Sequence, residues 1–238
     1  IAGNGKLYCQ GGSFASGIGS GYNGLEAAVG SANNIIINSG YIETIGGTNH
    51  GSGIGAPINS NANNIIINGG EIHTFGTFYA AGIGAGLAAE NIIINGGIVY
   101  ANTNNGVGIG GKTVENLQIN GGEIYASKTS ISSANYSACI GGIGNVKING
   151  GTIHCSAAKS GIYGIYSGTG NIEINGGSTK ITSTEGYTTS SVPVSEENSL
   201  YLTEVQLQNI TNKTEITSLT TSDNLNYGIE DMYTTEDD

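Results

Sequence analysis

Apolar residues return along the chain in a fixed three-part cycle. The first part is an Asn-Ile-x-Ile-Asn segment, met six times at 34–40, 64–70, 91–97, 116–122, 145–151 and 171–177. Counted from its second Asn (Asn38, Asn68, Asn95, Asn120, Asn149, Asn175), successive copies lie 25 to 30 residues apart. The two flanking apolar positions stay apolar, as in Ile35/Ile37, Ile92/Ile94 and Leu117/Ile119. The residue between them changes: Ile36, Ile66, Ile93, Gln118, Lys147, Glu173. Alternation at period two predicts a strand with the constant pair inside and the variable residue outside. A Gly-Gly pair follows, with Ser39 in place of its first Gly once. The second strand comes next, as in Glu71-Ile72-His73-Thr74 and Glu123-Ile124-Tyr125-Ala126. The third is built on Ile18, Ile54, Ile83, Ile109, Ile140 and Ile165, most of them inside Gly-Ile-Gly. Its Ile points in, and the flanking Gly columns are expected to form a flat outward face without side chains.

A repeat of this length describes stacked supersecondary units. Three strands per turn, with like residues on like, predict an all-β, right-handed parallel β-helix of about seven coils. At ~4.8 Å per coil the repeat region would be a rod ~30 Å long. An antiparallel sandwich would need short hairpin turns that the cycle does not provide. Loops at residues 20–32 and 127–137 are expected on the surface. Three units are predicted: a β-helix over 1–182, a Ser/Thr-rich linker over 183–191, and an acidic β module over 192–238. That module reads as incomplete, and the chain opens within a repeat, so both ends are expected to be cut from a longer protein.

Composition narrows the partners. The net charge is −11, yet residues 1–190 carry six Lys and eight Glu, while 191–238 carry one Lys and ten acidic residues. There is no Arg. Nucleic acid requires clustered cations, so it is not an expected partner. No apolar run approaches the ~20 residues of a membrane span. Cys9, Cys139 and Cys155 have neither disulfide nor zinc spacing. Cys9 and Cys155 take the small inward position held elsewhere by Thr44, Thr74, Ala101 and Ala126, which predicts free thiols in the core. No cofactor motif is present.

The pattern Ile-Asn-Gly-Gly-x-Ile-x-Ala, a loop and then Ala-Gly-Ile-Gly resembles the glycine-rich β-helix repeats of large adhesin-like surface proteins. Such repeats occur in low-GC Gram-positive bacteria and in trichomonad parasites. The resemblance covers residues 1–182 and implies an extracellular, surface-displayed scaffold. It carries no catalytic residue.

Candidate chemistry is sparse. Pectin-type hydrolases need clustered carboxylates, usually Asp, and residues 1–222 contain no Asp. No enzyme is expected. The outward column of the second strand, Tyr8, Glu43, His73, Tyr100, Tyr125 and His154, is the candidate ligand site. Aromatic faces beside carboxylates could hold sugar rings; the same residues would also stack for cross-strand stability. Ile36, Ile66 and Ile93 form a candidate protein contact, unless the 20–32 loop covers them. The Asn38-to-Asn175 column is expected to be a structural amide ladder. The expected role is a non-catalytic surface scaffold or adhesin segment contacting a glycan or a cell-surface partner. The alternatives are a fibre that self-associates through its ends or its flat Gly face, and a polysaccharide-active enzyme.

Overall fold

A computed structural model of the chain describes residues 1–21, 30–130, 138–157, 163–167, 170, 172–174 and 178–183, together with short strand pieces between 200 and 227. Among these residues every regular element is a strand, and no helix is long and apolar enough to cross a membrane. The strands form two sheets that stack rung on rung as a parallel β-solenoid. The linker at 183–191 lies outside the described residues except for Ser183. Most of the 192–238 module lies outside them too.

The first sheet collects the second strand of each repeat: Lys6–Gln10, Tyr41–Ile45, Glu71–Gly76, Ile98–Thr103, Glu123–Lys128, Thr152–Ala157, Ser178–Ser183 and Val205–Gln208. Every pairing in it is parallel and in register. The inward positions are Ile42, Ile72, Val99, Ile124 and Ile153, and two residues on the small Thr44, Thr74, Ala101, Ala126 and Cys155, all buried. Alternation along each strand therefore becomes columns along the stack. The three cysteines are free, with Cys139 and Cys155 buried and Cys9 half-buried. Burial pushes the Cys139 thiol up to about 12 and raises Cys155 as well, so neither supplies a thiolate near neutral pH.

The second sheet holds both remaining parts of the cycle. In early repeats they are separate strands, as in Ile54–Ala56 followed by Asn61–Ile67, and Ile83–Ala85 followed by Ala88–Ile94. In later repeats they fuse into Ile109–Ile119 and Ala138–Ile148. The expected separation into three pieces thus fails in these two repeats, and spacing explains it. Eleven residues separate Ile54 from Ile65, but only eight separate Ile109 from Leu117 and six Ile140 from Val146. The shorter connections leave no length for a turn, and the chain runs on with irregular register near Gly110 and Val114. At the far end Asn226–Tyr227 pairs antiparallel to Leu219–Thr220.

The expected flat glycine face does not exist. Gly55, Gly84, Gly110 and Gly141 are buried and take positive φ, from 120° to 136°. They stand at a corner. Ser52 Oγ donates to the Ala56 carbonyl at 2.6 Å, whereas four residues of extended chain would span ~13 Å. The corner draws each rung onto the next: a Cβ added at Gly84 would lie 1.9 Å from the Gly110 carbonyl oxygen. These buried glycines offer no bare plane for self-association.

Gly84→Ala should destabilise the protein by ~2 kcal/mol or more. Gly5→Ala, where an added Cβ meets nothing within 4 Å, should change it by less than ~0.5 kcal/mol. Urea denaturation of the two variants checks this.

Candidate functional site

The second-strand column lies on the outer face of the first sheet. Register places Tyr8, Glu43, His73, Tyr100, Tyr125 and His154 one above another. The rings form a continuous stack. His73 and Tyr100 are 4.5 Å apart and 16° from parallel. Tyr100 to Tyr125 and Tyr125 to His154 are both 4.7 Å and 8°. Tyr41, from the neighbouring column, leans in beside Glu43 and bridges Tyr8 to His73, at 5.9 and 5.3 Å. Lys6 sits over the Tyr41 ring.

This stacking consumes the faces that a sugar would need. Tyr100 and Tyr125 each have a neighbour on both sides, so their edges rather than their faces meet solvent. Polar ends of Tyr125, His73 and Tyr41 are also engaged. Tyr125 Oη donates to Glu123, and that hydrogen bond holds the phenol's pKa up at about 12. His73 Nε2 meets Glu71 Oε1 at 2.9 Å, and Tyr41 Oη donates to Glu43 at 3.4 Å. Desolvation, and then Glu43, raise the Tyr41 pKa. Tyr8, 62% exposed at the end of the stack, presents more ring than the others. Tyr100 and Tyr125 separate His73 from His154, too far apart for one metal ion.

On the other sheet Ile36, Ile66 and Ile93 stand in register. Ile36 is 43% exposed and the other two are half-buried. The column becomes polar beyond them, with a Lys147–Glu173 ion pair at 2.8 Å. Most of the 20–32 loop, at residues 22–29, lies outside the described residues. Beside this column the amides of Asn68, Asn95, Asn120 and Asn149 each donate to the Asn one rung before, at 2.7 to 2.8 Å, beginning from Asn38. Asn175 lies outside the described residues.

Two features were missed in reading the sequence. The first is a cleft of about 320 Å³ beside the turn that follows the second strand. Ile58, Tyr79, Leu87 and Val107 line it, with Asn59, Asn105 and Lys112. Tyr79 belongs to a ring cluster at the turn tips. His50 stacks on it at 5.4 Å and 13°, with Phe78 and Phe14 close by. Desolvation lowers the His50 pKa. Phe14, His50 and Phe78 share a left-handed backbone, φ 45° to 59°, so their turns repeat as the strands do. No single turn announces a cleft, because its walls come from residues some fifty positions apart.

The second is Lys128, which is 0% exposed. It continues the inward alternation of Ile124 and Ala126, and that was the available signal. Its Nζ donates to the Asn105 carbonyl, and to the Gly106 carbonyl at 2.7 Å. Thr103 Oγ1 fixes the same turn by bonding Ala80 O at 2.9 Å and accepting from Gly106 N at 3.1 Å. Burial brings the Lys128 pKa down to about 8, partly opposed by Cys139.

From that shift a pH dependence follows. Between about 8 and the unfolded value of 10.5, the unfolded chain keeps a proton at Lys128 that the folded protein has released. Stability from this residue therefore rises with pH across that window. Urea midpoints at pH 7.5 and 10 should show a gain in the wild type that is smaller in Lys128→Met. Equal changes in the two proteins would contradict this.

Comparisons with known proteins leave the chain to its own geometry: no family model, no curated protein and no solved structure matches it.

Proposed function

We propose that the chain is a non-catalytic segment of an extracellular surface scaffold or adhesin, a stiff rod whose flanks contact a glycan or a partner surface. In this reading the coils wind right-handed, about seven in number, each with three strand segments, of which two run together at 109–119 and 138–148. The observation that carries it is the pair of side-chain ladders along the rod. One is the ring stack from Tyr8 to His154. The other is the amide ladder from Asn38 to Asn149. Both tie each rung to the next through outward groups, and this favours stiffness over an opening and closing site. The lack of Asp before residue 223 and of Arg throughout also favours contact over hydrolysis, since the carboxylate pair that flanks a scissile glycosidic bond would have to come from Glu alone.

Incubation of the protein with a panel of acidic and neutral polysaccharides tests this reading, with retention and polymer length followed together. Retention on at least one polysaccharide with no change in its length is expected. Shortened polymer would overturn the non-catalytic assignment, and retention on none would overturn glycan contact.

A further inference from the structure

The cleft at the turns has the features that the ring column lacks. Tyr79 is 41% exposed and lines the cleft. His50 stacks on one of its faces, so the ring is held in place while part of it stays open. A sugar's apolar face packs on such a ring. Polar groups stand around it: Asn59, exposed at a turn with φ 57°, Asn105 and Lys112. Asn105 Oδ1 has no hydrogen-bond partner in the protein, so turning this amide toward a ligand hydroxyl forfeits no bond made by that oxygen. Among the described residues lining the cleft, Lys112 carries the only formal charge.

The walls are fixed before any ligand arrives. Ile58 N donates to His50 O at 3.0 Å, Leu87 N to Ser60 O at 3.2 Å, and Asn105 N to Phe78 O at 2.9 Å. Lys128 and Thr103 anchor the turn beneath Asn105 and Gly106. A volume of about 320 Å³ suits one or two sugar rings and falls at the small end of ligand sites, ~300 to 1,000 Å³.

We propose that this cleft binds an acidic sugar, a uronic-acid residue of a polysaccharide. The apolar face of its ring lies on Tyr79, its hydroxyls meet Asn59 and Asn105, and its carboxylate meets Lys112. A carboxylate at Lys112 makes a charge-assisted bond that a neutral sugar cannot form. Asn59 and Asn105 orient the ring without discriminating charge. The proposal rests on the reading that the chain contacts glycans, and it names the site and the ligand class.

Titration of the full chain with methyl galacturonoside and methyl galactoside, followed by NMR, tests it. The uronide should bind saturably and about tenfold or more tighter than the neutral sugar, ~1.4 kcal/mol. Tyr79→Ala should weaken the uronide about tenfold or more, while Tyr79→Phe, which keeps the ring, should stay within about threefold. Lys112→Gln should bring the uronide down to the level of the galactoside and leave the galactoside unchanged. Raising the salt concentration should weaken only the uronide. Saturable uronide binding that survives both Tyr79→Ala and Lys112→Gln would overturn the assignment of this cleft. So would failure of both sugars to bind. If polysaccharide retention persists in either of those cases, the cleft assignment falls and the glycan-contact reading stands; if retention is absent as well, both fall.

Discussion

Everything in this molecule depends on rungs stacking in register. A rung cannot satisfy its own backbone, because its N–H and C=O groups point along the stack. Each rung therefore takes its hydrogen bonds from its neighbours, and identical residues are forced onto one another. The apolar columns Ile65, Ile92, Leu117 and Ile67, Ile94, Ile119 become a continuous core. The small column from Thr44 to Cys155 sets how closely the first sheet lies over that core. The glycine corners follow from the same constraint. A left-handed turn at Gly55, Gly84 and Gly110 brings carbonyls so near that a Cβ would meet one at about 2 Å.

Stacking also decides which surfaces can bind. A column of rings close enough to stabilise the sheet has its faces pressed together, and what stabilises the rod is then withheld from a ligand. The same logic applies to the amides, whose oxygens from Asn38 to Asn120 each accept from the next Asn. The open cleft lies instead where the repeat is less regular. There Asn59 and Tyr79, from turns of two repeats, and Lys112, from the fused strand Ile109–Ile119 of a third, line one cleft. Lys128 links the two regimes, since a buried ammonium on a regular strand holds the irregular turn that forms part of the cleft.

Most of the solenoid was legible because it is written at period two. Ile37, Ile42 and Ile54 could be placed inside from alternation alone, and the parallel stack followed from the spacing of the Asn copies. The glycine corner was not legible as a corner. Gly beside Ile54 is equally consistent with a bare strand face and with positive φ, and only the backbone distinguishes them. The fusion of strands at 109–119 and 138–148 was present in the spacing as a shortened connection. The ring column could be listed residue by residue, but the filling of its faces depends on Tyr41 leaning across from the next column, which no pattern encodes. The cleft was hidden for a related reason, because it belongs to several turns together.

The register itself is open to direct measurement. Asn102 and Ser127 face each other on adjacent strands of the first sheet, and Ser156 lies one rung further on. All three point outward. Spin labels at Asn102→Cys and Ser127→Cys, in a Cys9→Ser background, can be compared with labels at Asn102→Cys and Ser156→Cys. In-register stacking predicts strong dipolar coupling for the first pair, with backbones ~4.8 Å apart, and weaker coupling for the second at ~10 Å. Equal coupling in the two pairs, or the reverse order, would contradict the stack on which the account is built.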